Sequence, residues 1–144
     1  MFIDSDMMKT NYLLEKMLDV EATRRKVISN NIANVDVPHF KRSEVNFESE
    51  LKRVIRSQEN SANRFNAQTT DERHIPFYED KDVRQVSPRV NLDYSTTGRN
   101  DGNNVDIEKE MVDSSKNTMR YNAFVTNLNQ NYKVLKLVMR PIGG

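Results

Sequence analysis

Apolar residues recur at helical spacing in two long blocks at opposite ends of the chain, and the pattern fades between them. In the first block Met7, Leu14, Leu18, Ile28 and Ile32 fall near one helical face, and Leu13, Met17, Val20 and Val27 widen it. This predicts a helix from about Ile3 to Asn34. Asp4, Ser5 and Asp6 are N-cap candidates. Val37-Pro38 stops the helix, because the residue before a proline is driven out of the α region. At 1.5 Å per residue such a helix is on the order of 45 Å long. A chain of 144 residues cannot cover a stripe of that length by itself.

The last block runs from about Asn104 to Met139 and carries two interleaved heptad stripes. Met111, Thr118, Val125, Tyr132 and Met139 form one; Ser114, Tyr121, Leu128, Leu135 and Ile142 form the other. This is the seam of a coiled coil. Val112, Met119 and Phe124 add a second apolar edge, which predicts more than one neighbour. Asn104 is the predicted N-cap, and Pro141, Gly143 and Gly144 stop the helix. A shorter amphipathic pattern covers Ser43 to Gln58, where Phe47, Leu51, Val54 and Ile55 share a face and Glu48 precedes Lys52 by four positions.

From Glu59 to Gly102 the periodicity fades. Val83–Val86 and Val90–Tyr94 read as short extended pieces, with a small hairpin and a flexible loop as the alternatives. Asn60 to Thr70 reads as disordered in isolation. The expected fold class is mainly α: long N- and C-terminal helices form a coiled-coil inner domain, with a shorter helix and a partly extended, loop-rich middle. The expected organisation is an N-terminal helix over 1–36, a turn and short helix over 37–58, an irregular or partly β middle over 59–102, and a coiled-coil helix over 103–144.

Composition sharpens this picture. Hydrophobic residues make up 36% of the chain, below the roughly 45–50% of an ordinary domain. A large private core is therefore not expected. Either much of the chain is disordered alone, or its stripes are buried against partners. The net charge of +1 gives no whole-chain attraction to nucleic acid. There is no cysteine, hence no disulfide, thiolate metal site or cysteine nucleophile. The N-terminus lacks the pattern of a cleavable signal peptide, and no apolar run approaches the roughly 18 residues of a membrane span.

Charge is segregated along both long helices. Residues 1–23 carry a net −3 and residues 24–42 a net +4, while residues 101–113 carry −4 and residues 114–144 carry +5 with no acid at all. Each helix thus runs from an acidic start to a basic end, matching its macrodipole. The same polarity makes an antiparallel pair complementary, and equally a head-to-tail stack of subunits. Asparagine is abundant, and five of the 17 lie inside the last helix, at 117, 122, 127, 129 and 131. Five asparagines oppose a free helix by roughly 3 kcal/mol. A helix ordered by assembly could use their amides as hydrogen bonds between subunits.

Catalytic chemistry is not expected. His39 and His74 lie far apart in sequence, and Asp71, Glu72 and His74 read as solvated loop residues before they read as a metal site. There is no phosphate-binding glycine loop and no nucleophile elbow. Arg24-Arg25-Lys26 lacks the interleaved aromatics of a nucleic-acid surface and reads as a solvated face. No catalytic residue, cofactor site or metal site is assigned.

The stretch Ser29-Asn30-Asn31-Ile32-Ala33-Asn34-Val35-Asp36-Val37-Pro38-His39-Phe40-Lys41 resembles the signature of bacterial flagellar rod and hook proteins, usually Asn-Ile-Ala-Asn followed by a Thr-Pro-Gly-Tyr turn. Gly102-Asn103-Asn104-Val105-Asp106-Ile107-Glu108-Lys109-Glu110-Met111 and Met119-Arg120-Tyr121-Asn122 are similar to the C-terminal pattern of the proximal-rod members of that family. The resemblance covers roughly residues 1–50 and 100–140. Val37, His39 and Phe40 depart from it, and His39 in place of glycine makes φ > 0 costly, so the turn after Pro38 is expected to differ.

The resemblance implies a structural subunit of the proximal rod that transmits torque to hook and filament. It implies export through the flagellar type III export gate without a cleavable signal, and a periplasmic place in the basal body. The implied partners are copies of the chain, other proximal-rod subunits, the rod-base adaptor and the membrane-embedded ring protein, with no nucleic acid and no small-molecule substrate. Asn30, Asn31, Ile32, Ala33, Asn34, Pro38 and Phe40 become the assembly motif, in which the amides fix the helix exit and small Ala33 permits close packing. Leu14, Leu18, Ile28, Met111, Val125, Leu128, Tyr132, Leu135 and Met139 become the coiled-coil interface, and Lys133 and Arg140 face the channel. Two other readings stand beside this one: a coiled-coil adaptor or chaperone of an export system, and a small nucleic-acid-binding protein.

Overall fold

The computed structural model describes residues 6–59, 73, 82–94 and 99–139. The elements in chain order are α1 (Asp6–Ala33), β1 (Ser43–Asn46), α2 (Glu48–Glu59), a single 3-10 turn (Val83–Gln85), β2 (Arg89–Leu92) and α3 (Ile107–Val138). They fall into two units, one of residues 1–45 with 90–144 and one of residues 46–89. The protein is mainly helical, as the two apolar blocks predict, with a small two-stranded sheet.

The first unit is an antiparallel hairpin of α1 and α3. The pairing can be read from its cross-links. Asn11 meets Asn131, Glu21 meets Asn117 and Asn31 meets Glu110, so partner numbers fall along α3 as they rise along α1. This direction uses the charge polarity within one chain. The basic end of α1 and the residues after it meet the acidic start of α3, with Arg42 at 2.5 Å from Glu110 and 3.6 Å from Asp113.

On α3 the shielded side chains are Glu110, Ser114, Asn117, Tyr121, Phe124, Leu128, Asn131 and Leu135, in alternating steps of four and three. The stripe from Ser114 to Leu135 is thus one half of the seam within the chain. The other half is offset by one residue from the Met111–Met139 stripe. Met111, Thr118, Tyr132 and Met139 lie exposed, and Val125 is half-buried. The reason is polar pairing: Glu110, Asn117 and Asn131 occupy the inner positions because each finds a hydrogen-bond partner on α1. Among the described residues of this unit, Val20, Ile28 and Val105 are the buried hydrophobes, against eight buried polar or charged residues. The hairpin is held in register by polar contacts more than by a greasy core.

Several boundaries differ from the sequence expectation. Ser43–Asn46 is a strand and not the first turn of a helix, with burial that alternates residue by residue. α2 starts after Asn46, whose side chain accepts from Ser49 Oγ at 2.6 Å. Leu51 and Val54 of α2, with Phe47 just before it and Val86, are the buried hydrophobes among the described residues of the second unit. Val83–Gln85 is a 3-10 turn capped by Asp82, which accepts from the Arg84 N–H at 3.0 Å. The Val90–Tyr94 piece supplies β2, but its partner is β1 and not Val83–Val86. The Asp93 N–H donates to the Arg42 carbonyl at 2.8 Å, just past the end of β2 and just before β1, so the strands run antiparallel. The N-cap of α3 is Asp106, which accepts from the N–H groups of Glu108 and Lys109 at 2.9 and 3.3 Å. Asn60–Thr70 lies outside the described residues, as do His74, Asp71, Glu72, Arg140 and Ile142.

Candidate functional site

The joint where α1 ends and α3 begins gathers the densest set of buried polar groups. Asn31, fully buried in the last turn of α1, reads the backbone of Ser43 with both ends of its amide: Nδ2 donates to the Ser43 carbonyl at 2.8 Å and Oδ1 accepts from the Ser43 N–H at 3.0 Å. The same Nδ2 donates to Glu110 Oε2 at 3.2 Å. Glu110 is itself 0% exposed, and its other oxygen accepts from Arg42 Nε. A buried carboxylate is tolerable only when paired and hydrogen-bonded. Here one oxygen has a cation and the other an amide.

Burial by itself would lower the proton affinity of Arg42. The hydrogen bond and charge of Glu110, then those of Glu44, outweigh it and hold the guanidinium above its ordinary value. Arg42 also donates its backbone N–H to Asn104 Oδ1 at 2.6 Å, and Asn104 Nδ2 donates to the Asp93 carbonyl at 2.7 Å. Asn104 is therefore a bridge between β1, β2 and the approach to α3, which is why it is not free to cap the helix.

Asn103 performs the corresponding task for the turn. Its Nδ2 lies 2.9–3.0 Å from the carbonyls of Asn34, Val35 and Val37, so its two protons are shared among three acceptors. Its Oδ1 accepts from the Val105 N–H at 2.8 Å. Lys41 Nζ donates to the Gly102 carbonyl at 2.8 Å, and the His39 N–H donates to the Asp101 carbonyl at 3.0 Å. His39 adopts φ 60°, so the left-handed turn forms despite the missing glycine. Gly102 sits opposite with φ +75°, and a Cβ there would meet His39 Nδ1 at 2.7 Å. The two left-handed residues face each other across the joint.

A second polar rung lies mid-hairpin. Glu21, buried, accepts from Asn117 Nδ2 and pairs with Arg24 Nη1 at 2.6 Å. The Asn117 amide also donates to the Glu21 carbonyl at 2.9 Å. Arg25 donates to Thr118 Oγ1 at 3.2 Å and lies over the Tyr121 ring at 5.8 Å. A third rung joins Asn131 Nδ2 to Asn11 Oδ1 at 2.7 Å, and among the described residues Asn11 Nδ2 is buried without a partner. An open groove of about 270 Å³ between the joint and the mid-hairpin rung is flanked by Arg24, Arg42, Lys116 and Arg120, with Glu44 and Asp113 beside them.

The structure distributes the residues singled out from sequence unevenly. Asn31 is at the centre of the joint. Asn34 Nδ2 donates to the Asn30 carbonyl at 2.7 Å and tightens the helix exit. Ile32 and Phe40 are half-buried, and Ala33 and Pro38 are exposed, so Ala33 makes no close packing within the chain. Leu14, Leu18, Ile28, Val125, Leu128 and Leu135 lie on shielded or half-shielded positions of the hairpin. Met111, Tyr132, Met139 and Lys133 are on its exposed side, although Tyr132 reaches Glu15 Oε1 at 2.7 Å with its hydroxyl. That bond holds the phenol above its ordinary pKa. Of the five helix asparagines, 117 and 131 bond α1 of the same chain, whereas 122, 127 and 129 are exposed. Arg42, Glu110, Glu21 and Asn103 were not singled out from sequence as site residues, and Asn104 was read only as a helix cap. The signal present was an acid, Glu110, one heptad before Asn117, at a position that a charge count treats as surface.

A hairpin of two long helices, keyed by polar rungs and leaving one apolar helix face bare, is the build of a helical structural subunit. No group of residues able to hold a metal ion occurs among the described residues. A model of the flagella basal body rod protein family matches residues 18–41, the stretch that enters the joint. The chain is 37% identical to flagellar basal body rod protein FlgB of Borrelia hermsii over 128 residues, covering 89% of this chain and 93% of that protein. It is 35% identical to FlgB of Bacillus subtilis over 126 residues (88% and 89%) and 28% identical to FlgB of Salmonella typhimurium over 128 residues (88% and 89%). The chain belongs to the FlgB family of flagellar basal body rod proteins. It is thus a structural protein of the flagellar basal body.

Proposed function

We infer that this chain polymerises through α1 and α3 into the proximal rod, transmits motor torque and lines the export channel. The observation that supports this reading is the exposed outer face of α3, where Met111, Val112, Met119, Leu137 and Val138 stay uncovered by their own chain. An apolar face of that extent is the surface of an interaction partner. Contacts that repeat by a helical operator build a tube instead of a closed ring. The partners on this reading are copies of the chain, other proximal-rod subunits, the rod-base adaptor and the membrane-embedded ring protein. The subunit reaches them through the flagellar export gate and works in the periplasm. Lys133 and Arg140 face the channel. The reading assigns no catalytic residue and no cofactor.

Deleting residues 1–34 removes α1 and leaves the inner side of α3 unpaired. The expected result is loss of swimming and of rods in detergent-extracted basal bodies. Normal motility in that strain would sink the reading. For the channel wall, Lys133→Glu should slow export of later flagellar proteins while the rod still forms; unchanged export would remove Lys133 from the lumen.

A further inference from the structure

The turn before α3 is built on an Asp-Gly peptide, Asp101-Gly102, and the geometry of the joint asks for both residues. Gly102 adopts φ +75°, and a Cβ there would meet His39 Nδ1 at 2.7 Å, so a side chain is excluded. Asp101 closes a side-chain turn in which its Oδ1 accepts from the Asn103 N–H at 3.1 Å. Its Oδ2 lies 3.0 Å from Arg99 Nη2, and its carbonyl accepts from the His39 N–H at 3.0 Å. An aspartate followed by glycine is also open to attack by its own backbone. With no Cβ on the glycine, little hinders the nitrogen from reaching the aspartate side chain. In that reaction the Gly102 nitrogen bonds to Asp101 Cγ, and the carboxyl hydroxyl leaves as water with the amide proton. Water then opens the five-membered imide. Addition at Cγ restores aspartate. Addition at the former main-chain carbonyl breaks its bond to the Gly102 nitrogen and gives isoaspartate, with no net change in atoms.

The folded joint opposes this reaction at both reacting groups. The Gly102 N–H donates to the Arg99 carbonyl at 3.1 Å, so the attacking nitrogen is engaged. Both carboxylate oxygens are held, one by the Asn103 N–H and one by the Arg99 guanidinium. We propose that Asp101 is a site of isoaspartate formation, protected in the closed joint and unprotected in the unfolded chain. The product cannot rebuild the joint. Its main chain runs through the former side chain and is longer by one carbon. The oxygens that met Asn103 and Arg99 are no longer a free carboxylate, and the carbonyl that received the His39 N–H becomes one. Gly102 and Asn103 are displaced with it. Lost with them are the Lys41 bond and the amide that gathers the carbonyls of Asn34, Val35 and Val37. A chain that has waited too long unfolded is thereby marked and barred from closing the end of α1 against the start of α3.

The test incubates the full-length chain in native buffer and in concentrated guanidinium chloride at the same pH and temperature. Peptide mass spectrometry with electron-based fragmentation reads isoaspartate at position 101. It should accumulate several-fold faster in the denaturant. Arg99→Gln keeps the Asp101-Gly102 peptide and releases one carboxylate oxygen. It should raise the native rate several-fold while the helical circular dichroism stays unchanged. The isoaspartate form, separated by chromatography and returned to native buffer, should unfold at a lower denaturant concentration than unmodified chain carried through the same treatment. Equal rates in the two solvents, no isoaspartate in the denaturant, an Arg99→Gln rate equal to the parent's, or a modified chain as stable as the unmodified one would each overturn the proposal.

Discussion

Removing Glu110 tests whether the joint is held by its buried ion pair. Glu110→Ala leaves the Arg42 guanidinium, with a side chain only 10% exposed, facing the space of a carboxylate that was 0% exposed. Breaking a buried pair by deleting one partner costs about 3–5 kcal/mol. Arg42 keeps Glu44 at 3.2 Å and Asp113 at 3.6 Å, both more exposed than Glu110. Those residual partners place the cost near the lower bound, about 3 kcal/mol. With a urea m-value of roughly 2 kcal/mol/M, the unfolding midpoint should fall by about 1.5 M when followed by circular dichroism. The double variant Arg42→Met, Glu110→Met removes both charges and should lie within about 1 kcal/mol of the parent. If Glu110→Ala shifts the midpoint by less than about 0.5 M, or if the double variant is as damaged as the single one, the pair is not what holds the joint.

Other outcomes follow from the same geometry. Gly102→Ala should cost on the order of 1–3 kcal/mol, from its left-handed φ and its clash with His39; His39→Gly removes the ring, so the loss in that background should be smaller in thermal melts. Replacing Asn11 and Asn131 together by leucine satisfies no amide but leaves none orphaned, and should raise stability by about 1–2 kcal/mol; disulfide trapping of pairs one heptad out of register should then succeed where it fails in the parent. Tyr132 has a raised pKa, so its bond to Glu15 supports the hairpin below the ordinary tyrosine value of about 10 and fades as pH climbs through the raised one. Ultraviolet titration should show one phenol lagging the others, and Glu15→Gln should abolish the lag.

The two long helices were legible because a 3.6-residue period sustained over four heptads has few rivals; the acidic-to-basic polarity fitted their antiparallel pairing but fitted a head-to-tail stack of subunits equally well. The seam register was not legible. Apolarity ranks Met111 above Glu110 and Tyr132 above Asn131, yet the inner positions go to the polar residues because their partners lie on α1, about a hundred positions away in sequence. β1 was misread for a related reason. Ser43 and Val45 are fixed by Asn31 and by the pairing with β2, not by local preference. Asn103 and Asn104 stood in plain view as part of a family pattern, but their roles depend on carbonyls of the turn and of Asp93 that only the folded chain brings near.

The unequal spacing of the three rungs has a mechanical consequence. Along α1 they stand at 11, 21 and 31; along α3 their mates stand at 131, 117 and 110. Slide one helix by a heptad in one direction and Glu21 faces Phe124 while Asn11 faces Val138. Slide it the other way and Glu21 faces Glu110. No neighbouring notch accepts all the teeth, so the two helices behave under lengthwise load as one keyed strut that must break before it slips.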